Sequence, residues 1–353
     1  MRFRVVKVSD LDAGLLARWK SLQSRDPALG SPFFAPEFTV AVGNARDDVE
    51  IALIEEGAAV VGILPFHCGL DRIGRAIGLH LSDFHGLIAD PQLEIHVPDL
   101  LRACRLVAWD FDHLLANQTA FSRYHRVTET SPFADVSNGF ESYVAAKKTS
   151  GTQIFSQCGT KERRLSRDVG PLRFDVDSHA RQDFETVLKW KSAQYNVSGV
   201  DDVLAADWIR RTLQNLAACR SAELTGCVSM LYAGDKPVAG HLGIASQGAW
   251  HYWFPAYDRD FAKYSTGLSL LVQMLKSAGA GRPSVIDFGK GDQRYKEQLK
   301  TGDRVIASGS VELAGPLRFR RTVRRLIAGV PGSRELRDFV KRQVHGRVAS
   351  PHK

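Results

Sequence analysis

The sequence predicts an α/β protein of the α+β type, built from two related units in tandem. Each unit is a mixed, mainly antiparallel sheet flanked by helices, and a basic helical tail follows them. Three observations carry this expectation. Residues 53–66, LIEEGAAVVGILPF, and residues 231–244, LYAGDKPVAGHLGI, both read as strand, turn, strand, with Glu56-Gly57 and Gly234-Asp235 as the turn residues. Val107-Ala108-Trp109-Asp110-Phe111 then lies over Ser284-Val285-Ile286-Asp287-Phe288 at nearly the same offset, which favours a tandem duplication. Finally, 353 residues are too many for one ordinary core. The expected division is residues 1–140, 141–312 and a tail of 313–353.

The elements follow in order. The chain enters a strand at Met1-Arg2-Phe3-Arg4-Val5-Val6, and the first hairpin and the Val107 strand complete the first sheet. Residues 131–173 hold Pro, Ser, Gly and a basic patch (Lys147, Lys148, Lys161, Arg163, Arg164, Arg167), read here as a linker. A Gly170-Pro171 turn and a strand at 172–176 open the second unit. Residues 183–195 are helical in pattern, with Phe184, Val187, Leu188 and Lys191 near one face. Residues 208–219 repeat the pattern with Ile209, Leu213 and Leu216. After a strand meander, Leu268, Leu271, Val272 and Leu275 recur at i, i+3, i+4 and i+7, a helix that Lys276 and Gly279 close. The short strand 285–288 leads to a last helix, 293–300, with Asp292 as its N-cap. A doubly wound sheet would alternate strand and helix throughout, so the arrangement is mixed.

Composition bounds the class. Hydrophobic and charged fractions of 44% and 24% are those of a globular protein. No apolar run approaches the roughly 18 to 20 residues of a membrane span, and residues 1–6 lack a signal-peptide core, so a cytoplasmic protein is expected. The five cysteines are scattered and show no C-x-x-C spacing, so neither a disulfide framework nor a metal site is expected. The net charge of +8 is a tail property: from Leu313 onward eleven bases face two acids. Phe319, Val323, Leu326, Ile327 and Val330 oppose Arg318, Arg320, Arg321, Arg324 and Arg325, a basic amphipathic helix; Ser333 opens a second. The tail is read as a helical pair packed on the body, as peripheral contact with an anionic inner-membrane surface, or as a site for a phosphate ligand such as a cyclic dinucleotide. No helix-turn-helix or finger pattern accompanies the charge, so DNA binding is not expected.

The chemistry concentrates in residues 249–300. The loop Tyr264-Ser265-Thr266-Gly267-Leu268 heads a helix, with Ser265 as cap and Gly267 allowing close approach to the backbone; this is an ordinary capped helix or an anion site. Trp250, Tyr252 and Phe254 should share one side of their strand, with His251 and Trp253 on the other. His251 is a candidate base and His241 shares its ambiguity with a core role. Asp287 stands in an apolar strand and must be paired, solvated or shifted in pKa. Tyr295 and Leu299 look inward while Lys296 turns to the flank. Where the second unit has Ser265-Thr266-Gly267, the first has Ala89-Asp90-Pro91, and it has no counterpart of Tyr295-Lys296. Any chemistry therefore belongs to the second unit.

Taken in order, these residues resemble the acyl-CoA N-acyltransferase (GNAT) superfamily, and more closely its tandem branch grouped with the cellulose-biosynthesis protein CelD and the BioF2-like acetyltransferases, cousins of FemAB. The motifs are Ser31-Pro32-Phe33-Phe34, Gly62-Ile63-Leu64-Pro65, Ser82-Asp83-Phe84-His85-Gly86, Lys161-Glu162-Arg163-Arg164-Leu165 with Gly170-Pro171-Leu172, Trp253-Phe254-Pro255-Ala256-Tyr257-Asp258, and Asp287-Phe288-Gly289-Lys290-Gly291 to Tyr295-Lys296. The resemblance implies acyl transfer from an acyl-CoA, acetyl-CoA first, to an amine without a metal. It assigns the donor to Tyr264, Ser265, Thr266, Gly267, Leu268 and Lys296. Tyr295 would protonate the departing thiolate, Asp287 or His251 would be the base, and His241, Trp253, Tyr257 and Asp258 would face the acceptor. The loop departs from the family pattern in lacking its second glycine. Relatives of this kind point to an amino sugar of an exopolysaccharide, cellulose or holdfast precursor as acceptor. Two other readings compete: a FemAB-like transferase moving an aminoacyl group from a charged tRNA to a cell-wall precursor, against which stands the missing long helical hairpin, and a non-catalytic binding protein of a polysaccharide machinery.

Overall fold

The computed structural model describes residues 1–279, 281–315 and Arg321. The two helices expected in the tail lie outside the described residues, apart from that one arginine.

The first unit is a hairpin with additions. Strands β1 (Arg2–Val6), β2 (Val49–Glu56) and β3 (Ala59–Cys68) pair antiparallel, with Leu53 opposite Ile63. Gly57 takes the left-handed φ of 60° that the tight turn requires. Alternation along β2 sends successive residues to opposite faces. Ile51 and Leu53 join Trp19 and Leu22 of helix α1 (Ala13–Gln23) and Phe38 and Val42 of α2 (Pro36–Gly43). Ala52 and Ile54 share the other face with Ala89 of β5 (Ile88–Ala89) and with Leu100 and Leu101 of α3 (Val97–Ala103), while β4 (Ile73–Ala76) pairs antiparallel with β3. Strand β6 (Ala108–Leu115) then returns parallel to β4, with Arg75 opposite Asp110.

The second unit repeats this plan. After β7 (His125–Asp135) come helices α4 (Phe140–Thr149) and α5 (Ile154–Asp168), strand β8 (Leu172–Asp175), and helices α6 (Arg181–Ser198) and α7 (Asp207–Ala218). The hairpin is β9 (Thr225–Ala233) and β10 (Lys236–Ala245), turning on Gly234 with φ 58°. Strands β11 (Trp250–His251) and β12 (Phe254–Tyr257) follow β10, helix α8 (Thr266–Ser277) crosses over, and β13 (Val285–Asp287) lies parallel to β11 with His251 opposite Asp287. Helix α9 (Arg294–Leu299) and β14 (Gly302–Glu312) complete the described chain. The parallel pairs β4 with β6 and β11 with β13 are the matching parts of the two sequence repeats.

All strands form one sheet in the order β1-β2-β3-β4-β6-β14-β7-β13-β11-β10-β9-β8, with β5 on β3 and β12 on β10. Strand β14 lies between β6 and β7 and pairs antiparallel with both, so the last described strand stitches the two units together. On one face of the second unit α6 and α7 cover Val228, Met230 and Leu242; on the other α5 and α8 cover Cys227, Leu231 and Ala239.

Three local expectations differ from the structure. The stretch read as a basic linker is helical: α5 buries Ile154, Cys158 and Leu165 against α8 and leaves Arg163, Arg164 and Arg167 exposed. Phe254 does not continue the row of Trp250 and Tyr252. The chain bends between β11 and β12, and Phe254 packs instead against Trp253, ring centroids 4.8 Å apart. The N-cap of α9 is Gln293, without a side-chain bond, rather than Asp292.

Candidate active site

The bend between β11 and β12 opens the site. Strand β13 follows β11 only as far as Asp287, whose carbonyl accepts the Tyr252 amide at 2.8 Å. Beyond that point β12 stays with β10 while the other chain turns through Gly289 and Gly291, both at positive φ, into α9. The first unit has no such turn, because β6 runs on unbroken to Leu115. Between β12, the start of α8, α6 and α9 lies a cavity of about 260 Å³, lined by Tyr257, Gly267, Leu268, Tyr295, Lys191 and Gln194 among others.

Gly267 holds this cavity open, since a Cβ there would stand 3.2 Å from the Tyr257 ring; its carbonyl accepts the Tyr252 hydroxyl at 3.1 Å. Tyr295 packs on Phe288, and burial pushes its phenol up to about 12, so it remains protonated at neutral pH. Lys191 donates to the Pro255 carbonyl at 3.2 Å and lies 5.3 Å from the Tyr195 ring. Burial, with the charge of Lys296 adding to it, pushes Lys191 down to about 8. The Nε2 of Gln194 has no acceptor among the described residues.

The head of α8 is built differently from the expected serine cap. Ser265 sits at the N-cap in the left-handed conformation, φ 54°, and its side chain makes no cap bond. Its hydroxyl accepts instead from Lys161 of α5 at 2.6 Å. The Leu268 and Ser269 amides bond back to the Ser265 carbonyl, which leaves those of Thr266 and Gly267 without an acceptor among the described residues. The Thr266 hydroxyl is buried and likewise unpartnered. Tyr264 donates to Asp168 at 2.9 Å, with Lys263 5.0 Å and Arg164 5.9 Å from its ring. Free amides at the positive end of a 12-residue helix, beside an ammonium, form a cradle for an anion.

Asp287 and His251 lie elsewhere, in a closed cluster between the units. The Asp287 carboxylate accepts from Arg304 at 2.5 Å, Ser131 at 3.2 Å and the Gly289 amide at 2.9 Å. His251 Nδ1 is 3.9 Å from it, while Nε2 lies 2.9 Å from the Ser31 hydroxyl and the ring packs edge-on against Phe33 and Phe84. Burial pushes His251 down to about 4, so the ring is neutral. Neither residue lines the cavity.

The remaining candidates are placed as follows. His241 is fully buried, pushed down to about 3, with Nε2 2.9 Å from the His251 carbonyl oxygen. Trp253 packs on Phe33 of the first unit. Asp258 accepts the Asp260 amide at 3.0 Å and caps the turn before Tyr264. Lys296 does not turn to the flank. It is 5% exposed, and its ammonium donates to the carbonyls of Gly289 and Lys290, each at 2.9 Å, which pins the turn into α9. Of the residues singled out from the sequence, the cavity unites Tyr257, Gly267, Leu268 and Tyr295. Lys191 and Gln194 were not foreseen as site residues, although a lysine on the apolar face of a helix was the visible signal.

Among the described residues no helix is long and apolar enough to cross a membrane, and no cluster of three or more His, Cys, Asp or Glu is placed to hold a metal ion.

Residues 156–297 match the family model of the acetyltransferase (GNAT) domain. No curated protein matches the sequence. Among solved structures FemX superposes with a TM-score of 0.59 at 9% identity, over 92% of this chain and 100% of that one. The C-terminal domain of a putative lysylphosphatidylglycerol synthetase from Agrobacterium fabrum gives 0.51 at 12% identity, over 85% and 92%. L-PGS from Bacillus licheniformis gives 0.50 at 11%, over 88% and 94%. At such identities the likeness is one of fold. The chain is thus a mixed α/β protein of two units sharing one sheet, in which residues 156–297 match the acetyltransferase (GNAT) domain.

Proposed function

We propose that the protein is an N-acyltransferase that moves an acyl group, acetyl first, from an acyl-CoA to an amine. The observation that carries this is the cavity of about 260 Å³ that Gly267, at the head of α8, and Tyr295 line together. The donor pyrophosphate rests on the Thr266 and Gly267 amides beside Lys161, and the thioester reaches into the cavity. The amine nitrogen forms a bond to the thioester carbon, the C–S bond breaks, and Tyr295 offers its hydrogen to the departing sulfur. A phenol near 12 is a weaker acid than a thiol near 8.5, so Tyr295 stabilises the thiolate through a hydrogen bond rather than surrendering its proton fully. In this reading residues 1–140 form one wall of the acceptor cleft and residues 141–312 hold the donor. The acceptor is an amino sugar of a polysaccharide precursor, carried on a nucleotide or a lipid.

A second reading is aminoacyl transfer from a charged tRNA, favoured by the likeness to FemX over nearly the whole chain. Lys191 weighs against it: a largely charged ammonium in the cavity would face the α-ammonium of an aminoacyl group. Calorimetry with acetyl-CoA on the intact protein and on Gly267→Asp tests the choice. Micromolar binding that is lost in the variant supports the first reading; no binding by the intact protein overturns it and leaves the aminoacyl one.

A further inference from the structure

We infer that Lys191 and Gln194, on the α6 wall of the cavity, recognise a negatively charged oxygen group of the acceptor, a carboxylate or a phosphate carried by the same molecule as the amine. This rests on the acyl-transfer reading and adds to it a requirement on the acceptor's charge.

The sequence of α6 places a charge where an apolar side chain belongs. Phe184, Val187 and Leu188 are buried with Val228, Met230 and Leu242, and Lys191 follows Leu188 by three residues and Val187 by four, on the same helix face. Gln194 comes three residues later, so the two polar side chains are neighbours on one wall. Lys191 is half-buried and donates to the Pro255 carbonyl. Among the described residues its ammonium has no carboxylate within ion-pair distance, unlike Lys20 with Glu37 and Glu223, Lys290 with Glu129, and Lys300 with Glu297 and Asp303. The ammonium therefore keeps hydrogens to give, and the buried Nε2 of Gln194 has no acceptor either.

The rest of the cavity wall supplies nothing to satisfy them. Among the described residues lining it, Lys191 carries the only charge and there is no aspartate or glutamate. A half-buried ammonium beside an unsatisfied amide nitrogen is costly until an anion fills the gap, and carboxylate or phosphate oxygens accept from both. Burial, with the charge of Lys296 adding to it, brings Lys191 down to about 8, so the empty site is mostly charged at neutral pH and a bound anion would raise it again.

The position of α6 assigns this group to the acceptor. Helices α6 and α8 cover opposite faces of the second unit's sheet, and the cavity is lined from both. The donor phosphates have their own cradle at the head of α8, beside Lys161 of α5. The α6 side is left for the second substrate. Its anion also offsets the charge of Lys191, so the accompanying amine enters a cavity that no longer repels it.

The test uses the full chain with acetyl-CoA and three acceptors, glucosamine, its phosphate ester and the corresponding aminouronic acid, following thiol release. The better of the two charged acceptors should exceed glucosamine in kcat/KM by about 10- to 100-fold, and which one it is separates a phosphate from a carboxylate. Lys191→Met should remove that preference through KM, with kcat within about threefold and acetyl-CoA affinity by calorimetry within about twofold. Its thermal midpoint should be unchanged or higher, because no ion pair is lost. Gln194→Leu should weaken the preference in part, and Lys191→Arg should keep it. A kcat/KM for glucosamine equal to or above those of both charged acceptors overturns this inference alone. So does a preference that survives Lys191→Met, or a parallel fall in that variant's acetyl-CoA affinity, which would put Lys191 on the donor phosphates. No thiol release by the intact protein with any acceptor overturns the acyl-transfer reading, and this inference with it.

Discussion

Asp110 and Asp287 hold the same place in the two units, Asp110 opposite Arg75 and Asp287 opposite His251 across matching parallel strand pairs. Each accepts a serine hydroxyl and one arginine: Ser310 and Arg321 for Asp110, Ser131 and Arg304 for Asp287. The duplicated aspartate is thus a joint of the sheet, and the enclosed copy in the second unit is the costlier one to disturb.

Arg304→Ala leaves the fully buried Asp287 carboxylate without its ion-pair partner, and should cost about 3 kcal/mol of stability by urea denaturation. Arg321→Ala acts on the half-exposed Asp110 and should cost less than about 1 kcal/mol. Equal losses would show that the two joints are not differently buried.

Acid should unfold the protein through its neutral histidines. Burial holds His251 near 4 and His241 and His85 near 3, while the unfolded chain binds their protons below about 6.5. Their contribution is complete above pH 6.5 and declines as pH falls toward the folded values, on the order of 2 kcal/mol each at pH 5. Urea midpoints between pH 7 and 5 should fall, and His251→Gln should flatten that slope.

Tyr295→Phe should lower kcat by about 10- to 100-fold while leaving acetyl-CoA affinity within about twofold, because its hydrogen is needed only as the C–S bond breaks. Unchanged turnover would return Tyr295 to the core.

The hairpins, the repeat and the helix behind Gly267 were legible because each is written in local periodicity and turn chemistry. Helix α5 was not: its buried residues Ile154, Cys158 and Leu165 are spread through a polar, basic stretch, and their reason for burial is α8, more than a hundred residues away. Ser265 was misread for a related reason, since its hydroxyl is claimed by Lys161 from that same helix. Lys296 looked like a flank residue by helical spacing, but the turn at Gly289 and Lys290 folds over it.

The position of β14 between β6 and β7 sets an order on how the protein can be made. During synthesis β6 and β7 leave the ribosome early, each with an edge of unpaired amides and carbonyls, and their shared partner emerges only after both hairpins, α8 and α9. The sheet therefore closes last at its centre. A chain stopped short of residue 312 would keep that seam open and sticky, so truncation there should be met by aggregation rather than by two independent halves.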